Sequence, residues 1–268
     1  MKLDGSVALV TGASHGIGHA TACALHARRC AVGLIARSAQ ELEEACRALG
    51  SRAVFAVADV AEKDQVERAI SDITERLGVP EILVNNAGIG AYGAVLDQDA
   101  ELFEHLMRVN YLGTVNATLA VLPAMAKRRR GHIVNIASIA GRLGAPFEAA
   151  YSGSKFAVVG FSESLAAEVQ GMGIGVSLVN PGPVATQFTE ARGVPFQRSI
   201  PRPLRAERVA RAVVEAIEDG RFEQTLPRWL RLGVAVRSVS PRLYHAGLLR
   251  SSSKEAAALA ARFDASTA

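Results

Sequence analysis

A glycine-rich turn near the start of the chain constrains its fold more than any other stretch. Val7-Ala-Leu-Val10 is a short apolar run of the kind found in strands covered on both faces. Thr11-Gly-Ala-Ser-His-Gly-Ile-Gly18 comes next, and residues 17–29 read as the helix that leaves the turn. Gly12, Gly16 and Gly18 therefore fall between a strand and a helix. Glycine permits the unusual backbone angles of such a turn, and it lets the main chain approach a pyrophosphate held at the positive end of the helix. A dinucleotide suits that geometry. Ordinary tight turns also contain glycines at this spacing, so the remainder of the chain has to support the reading.

Beyond the turn, strand and helix alternate. Ala31–Ala36 is a second apolar strand, and Ser38-Ala-Gln-Glu41 is a capping box that opens the next helix. A third strand runs from Ala53 to Ala58, ending at Asp59, and a polar helix from about 62 to 77 leads to a fourth strand, Ile82-Leu-Val84. From Asp97 to about Met125 the period is helical, with Leu102, Leu106, Val109 and Leu112 or Gly113 on a recurring face; this puts Asn110 on the polar edge. Residues 132–138 and 176–179 supply two more strands, and Ala206 to about Glu218 another helix. The alternation predicts a doubly wound α/β fold of about seven parallel strands with helices on both faces. No Pro/Gly/Ser linker divides the 268 residues, which are 49% apolar, so residues 1–268 are expected to form one domain.

Several classes of function lose support at this stage. Cys23, Cys30 and Cys46 are odd in number and lack metal-ligand spacing, which suits reduced packing residues and no metal site. No apolar run reaches membrane-spanning length and no signal peptide precedes the first strand, so a cytoplasmic protein is expected. A net charge of +4 does not call for a nucleic-acid partner. Lys127-Arg-Arg-Arg130 falls at a helix end, where cations favour the negative pole, and reads as structural.

Two positions bear on which dinucleotide binds. In folds of this kind the tip of the second strand meets the adenosine ribose about 20 residues past the glycine loop, where an acid selects NAD and an arginine accepts the 2′-phosphate of NADP. Here that tip reads Ala36-Arg37, so NADP(H) is expected in preference to NAD(H). Asp59 has two equal readings, as a cap for the adjoining helix or as a contact for adenine.

The predicted fifth strand delivers Ser138 to the carboxyl edge of the sheet, where ligands of open α/β sheets bind. Tyr151 and Lys155 are four apart, and on a helix such residues share a face. Reducing a carbonyl needs a proton for the developing alkoxide, and oxidising an alcohol needs that proton removed. A phenol with a pKa of about 10 does neither well near neutrality, but a neighbouring cation favours the phenolate.

Taken together, Thr11-Gly-x-x-x-Gly-x-Gly18, Asn85-Asn-Ala-Gly88, Ser138, Tyr151-x-x-x-Lys155 and Pro181-Gly182 resemble the short-chain dehydrogenase/reductase family over residues 5 to about 220. The resemblance implies an NADP-dependent oxidoreductase interconverting a secondary alcohol and a ketone. By resemblance, Tyr151 is the general acid/base, Ser138 bonds the substrate oxygen, Lys155 also holds the nicotinamide ribose, and Asn110 orders a water linking Lys155 to solvent. Ser14, His15, Ile17, Val60, Asn86, Ala87, Gly88, Pro181, Gly182, Val184 and Thr186 join Gly12, Gly16, Gly18, Arg37 and Asp59 as cofactor contacts; His15 is expected as a neutral, loop-packing imidazole. Residues 187–203 resemble the family's substrate loop, and Phe188, Phe196 and Trp229 favour an apolar substrate. The rival reading is an NADP-sensing protein that uses the fold without turnover.

The end of the chain departs from the family's commoner pattern. Residues 224–268 form a predicted helical extension in which Trp229, Leu232, Val236 and Val239 keep three-four-three spacing, and Gln224 to Arg250 holds five arginines and no acid. Such a helix could pack on its own domain, line a lipophilic entrance, join an interface between copies or rest on a membrane surface. Packing or a lid is preferred, and the departure favours a dimer over a tetramer. Tyr-Ser-Gly-Ser-Lys is a smaller departure, since family members often carry alanine where Gly153 stands.

Overall fold

The computed structural model describes residues 1–188 and 201–267. Residues 189–200 of the expected substrate loop 187–203, Phe196 among them, lie outside the described residues. The chain alternates as β1 (Val7–Thr11), α1 (Gly16–Ala27), β2 (Ala31–Ala36), α2 (Ala39–Leu49), β3 (Ala53–Val57), α3 (Lys63–Leu77) and β4 (Ile82–Asn85). It continues with α4 (Ala100–Leu106), α5 (Gly113–Arg128), β5 (Gly131–Ile136), α6 (Ala149–Val169), β6 (Ile174–Pro181), α7 (Ala206–Asp219) and β7 (Glu223–Leu226). Three further helices, α8 (Leu230–Val239), α9 (Pro241–Ser251) and α10 (Ser253–Thr267), form the C-terminal extension.

All seven strands are parallel, in the order β3-β2-β1-β4-β5-β6-β7. Alternate residues of one strand serve opposite layers. Val10 belongs to the core layer that holds Leu25 of α1, Leu42 of α2 and Val213 of α7, while its neighbour Leu9 belongs to the opposite layer with Ile73 of α3, Met125 of α5 and Leu165 of α6. Burial on both faces makes β1 and β2 nearly unbroken apolar runs, while β5 and β6 bury His132, Asn135, Ser177 and Asn180 among their apolar residues. The order reverses between β1 and β4, and the crevice at their carboxyl ends is where such sheets bind ligands.

Local chemistry explains several boundaries. The Ser38 hydroxyl accepts the Glu41 amide and fixes the start of α2, as the capping box predicts. Arg128 and Arg130 pair with Glu81, and Arg129 ends α5 in a left-handed conformation, donating to the Gly171 carbonyl. The basic run is structural, as expected.

Two expectations fail here. The helix foreseen from Asp97 starts at Ala100 and widens into a π-helical turn over Met107–Leu112 before continuing as α5. The extra residue in that turn breaks the regular period, so Asn110 is fully buried instead of lying on the polar edge, and Leu112 is exposed. On α8 the stripe of Trp229, Leu232, Val236 and Val239 faces outwards, not onto the domain; Leu232 is 69% and Val239 85% exposed. The residue that α8 buries is Leu230. Among the described residues no helix is long and apolar enough to cross a membrane.

Candidate active site

The carboxyl edge of the sheet opens on a cleft of about 410 Å³. Its floor at one end is the glycine turn. Gly12 and Gly16 have positive φ, at +62° and +59°, and a Cβ on Gly12 would lie 2.8 Å from the Ala87 Cα. A Cβ on Gly18 would lie 2.1 Å from the Gly12 carbonyl oxygen, so this glycine permits the close packing of α1 on the turn. His15 stands at the N-cap of α1 without a side-chain bond to the first-turn amides, its Nδ1 being 2.8 Å from Ser14 Oγ. Backbone donors and the positive helix end thus meet the cleft with no side chain capping them, an arrangement that fits a pyrophosphate.

Asn86 ties this turn to β4. Its amide group donates to the carbonyls of Thr11 and Gly12, both at 3.0 Å, while the Thr11 hydroxyl accepts the backbone amides of Asn86 and Ala87. Thr11 thereby locks the two loops together. At the other lip, Thr186 lies against Gly16, 3.2 Å from where a Cβ would stand. Val184 bridges to Leu204, and Pro181 and Gly182 complete the lining.

At the opposite end of the cleft the strand-end serine meets the helix pair. Ser138 Oγ accepts the Ala140 amide at 3.1 Å, which opens a short 3₁₀ turn and leaves its own proton available to the cleft. Tyr151 and Lys155 project from α6, with Lys155 Nζ 5.9 Å from the Tyr151 ring centroid. Lys155 is buried and donates to the Ile136 carbonyl at 2.9 Å; burial lowers its pKa to about 8. The Phe188 ring approaches Tyr151 at 5.7 Å.

Asn110 supports this end from behind. Its Oδ1 accepts the Ile89 amide at 2.8 Å, and its Nδ2 donates to the Ile89 carbonyl and to Ser154 Oγ, both at 2.9 Å. Gly88 lies between Asn110 and Lys155, close enough that a Cβ would sit 3.0 Å from Asn110 Oδ1 and 3.5 Å from Lys155 Nζ.

The structure therefore brings Gly12, His15, Gly16, Ile17, Asn86, Ala87, Gly88, Ser138, Tyr151, Lys155, Pro181, Gly182, Val184 and Thr186 to one cleft, with Gly18 and Asn110 packed behind it. Ser14, Arg37, Asp59 and Val60 do not line it. Arg37 is exposed at the tip of β2, and among the described residues it has no ion pair. Asp59 accepts the Ala61 amide at 2.9 Å, forming a turn ahead of α3 rather than capping the helix itself, whose N-cap is Glu62. Val60 packs on Gly113, and its carbonyl accepts the Asn116 side chain. Sequence reasoning missed Ser154 and the contributions of Leu230, Tyr244 and Leu248 to the cleft wall. Ser154 was readable beside Lys155, but no local pattern tells which side of α8 or α9 turns inwards. Among the described residues no cluster could hold a metal ion.

A doubly wound sheet carrying a phosphate cradle and a phenol beside a buried ammonium is the architecture of a nicotinamide-dependent oxidoreductase. The chain belongs to the short-chain dehydrogenase/reductase family, whose sequence model, described as short chain dehydrogenase, matches residues 6–194. It is 32% identical over 259 residues to dehydrogenase/reductase SDR family member 7B of Rattus norvegicus, covering 90% of this chain and 80% of the relative. It is 41% identical over 188 residues to 3-ketodihydrosphingosine reductase of Bacteroides thetaiotaomicron, covering 70% and 67%. Among solved structures, a short chain dehydrogenase/reductase from Burkholderia phymatum in complex with NAD superposes with a TM-score of 0.83 at 28% identity, over 91% of this chain and 96% of that one. A variant of actinorhodin polyketide ketoreductase with NADPH gives 0.77 at 32%, over 84% and 97%. The protein is an oxidoreductase of this family, and its neighbours bind NAD or NADP(H).

Proposed function

We propose that this oxidoreductase interconverts an apolar ketone and its secondary alcohol, with NADP(H) as the preferred nicotinamide cofactor. The observation that carries the proposal is the placement of Tyr151 beside the buried Lys155 at the Ser138 end of the cleft. Bound at the glycine cradle, the nicotinamide cofactor supplies or takes up the hydride. The remaining work falls to side chains. Ser138 has an unused proton with which to hold the substrate oxygen, and Tyr151 gives that oxygen a proton in reduction or removes it in oxidation. An ammonium buried beside a carbonyl, with no carboxylate paired to it among the described residues, gains from any anion formed nearby; the Tyr151 phenolate is such an anion. Asn110, held by three hydrogen bonds, is a positioning residue that keeps an oxygen towards Lys155 across the gap at Gly88.

The apolar side of the cleft supports the substrate class. Leu143, Pro146, Phe188, Leu230 and Leu248 line the same cleft as Tyr151. The name of one relative, 3-ketodihydrosphingosine reductase, is that of a ketone reductase, which agrees with this reading. Arg37, exposed at the tip of β2 with Ala36 in the usual acid's place, supports NADP(H). The test mixes the protein with NADPH and ketones of graded size and tracks nicotinamide absorbance. Turnover should appear and grow with apolar bulk, and Tyr151→Phe should lower kcat by about 10² to 10⁴ while cofactor affinity stays within a few-fold. Full activity in the phenylalanine variant would overturn the proposal.

A further inference from the structure

The first two of the three helices after β7 turn an inverted face to the outside. Trp229, Leu232, Val236 and Val239 project from one side of α8, and that side points away from the domain; Leu243 and Leu249 of α9 are exposed as well. What α8 presses inwards includes Leu230, against Gly182, and Arg237, whose guanidinium lies 4.9 Å over the Phe156 ring and donates to the Arg142 carbonyl. A surface helix ordinarily does the reverse, and an exposed apolar stripe set among cations marks a docking surface.

Charge identifies what docks. Gln224 to Arg250 contains Arg228, Arg231, Arg237, Arg242 and Arg250 and no acid, whereas the whole chain carries a net +4, so the rest of the molecule is slightly negative. Arg237 is turned onto Phe156, and the other four, Arg228, Arg231, Arg242 and Arg250, are exposed on this segment and carry its positive excess. Arg202 and Arg208 border a neighbouring groove that ends on Trp229 and extend the basic surface, while Arg205 on the same groove pairs with Glu207. A second copy applied through a two-fold axis would set arginine against arginine. An anionic lipid surface answers both features, taking apolar side chains into its interfacial zone and arginines onto its phosphates.

We infer that residues 228–250 seat the protein on an anionic bilayer surface, with Trp229, Leu232, Val236 and Val239 entering the interface. The same two helices also line the cleft, through Leu230, Tyr244 and Leu248. A lipid-dissolved ketone thus reaches Tyr151 without crossing bulk water. That last step rests on the proposed function, whereas the docking itself does not.

The experiment uses the full chain with phosphatidylcholine vesicles, with and without phosphatidylglycerol, read by co-sedimentation and by the emission of Trp229, the single tryptophan. Binding with a blue-shifted emission is expected on the anionic vesicles, weakening about ten-fold or more from low to high salt. The double variant Arg231→Glu/Arg242→Glu should bind at least about ten-fold more weakly. Leu232→Ser/Val239→Ser should also weaken binding, while reduction of a small ketone in vesicle-free buffer is unchanged in both variants. Absence of binding, or equal binding to neutral and anionic vesicles, overturns the inference. So does a dimer that dissociates in the serine variant while vesicles stay unbound, which would make a second copy the occupant. Vesicle binding by a protein that reduces no ketone would overturn the proposed function and leave the docking standing.

Discussion

The methyl group that Gly88 lacks would stand 3.0 Å from Asn110 Oδ1 and 3.5 Å from Lys155 Nζ. The φ of Gly88 is ordinary, so alanine there brings no backbone strain, only a carbon in the gap between a proton acceptor and a buried ammonium. If that gap carries the proton path between Lys155 and solvent, Gly88→Ala should lower kcat by about 10-fold or more, below the full acid/base contribution of about 10² to 10⁴, with a small change in cofactor affinity. Steady-state kinetics with NADPH checks this; an unchanged kcat would remove Gly88 and Asn110 from the path. Arg37 presents the opposite situation, an exposed cation outside the cleft. A charge-assisted bond to a 2′-phosphate contributes roughly 1.5 to 3 kcal/mol, so Arg37→Ala should weaken NADPH about 10- to 100-fold and leave NADH nearly unchanged. Dissociation constants for both cofactors decide it, and equal losses would mark Arg37 as a solvated loop residue.

Among the elements, α6 carries the reactive pair and also a residue that weakens it. Gly153 lies between Tyr151 and Lys155, is exposed, and has open space where a Cβ would stand. Gly153→Ala should stabilise the protein by about 0.5 to 1 kcal/mol by reducing the freedom of the unfolded chain, raising Tm by about 1 to 4 °C. Calorimetry with a parallel activity assay checks it; a fall in Tm would mean that the helix start needs glycine. The strands, the capping box and the glycine turn were legible in the sequence because each is set by neighbours in the chain. Asn110 was legible as a residue but not as a buried one, since the π-helical turn that swings it inwards is selected by Ile89 and Ser154, distant in sequence. The outward stripe of α8 escaped for the same reason. Period shows that one side of a helix is apolar, and tertiary contacts decide where that side points.

For the molecule as a whole, acid stability depends on His132, buried on β5 with its Nε2 2.8 Å from Ser177 Oγ. Burial is the larger cause that lowers its pKa from 6.5 to about 4, with the N-terminal charge adding to it. The folded pKa lies below the unfolded one, so between those values the unfolded chain binds more protons. Stability is thus full above pH 6.5 and falls as pH drops towards 4, by an amount on the order of 3 kcal/mol. His132→Gln, able to keep a bond to Ser177, should lose less between pH 7 and 4.5 in denaturant titrations; parallel losses in the two proteins would rule His132 out. The attachment of the last helices has a different consequence. They meet the α/β domain through a few side chains, Leu230 on Gly182, Leu143 beside Gly233, Arg237 on Phe156 and the Arg142 carbonyl, Tyr244 on the Gly144 carbonyl and Arg262 on Asp97. The cradle and the reactive pair themselves are carried by β1, β4, β5 and α6, and the last helices touch α6 at Phe156. Mutation can therefore rework what the enzyme accepts, and where it goes to find it, while inheriting its chemistry intact.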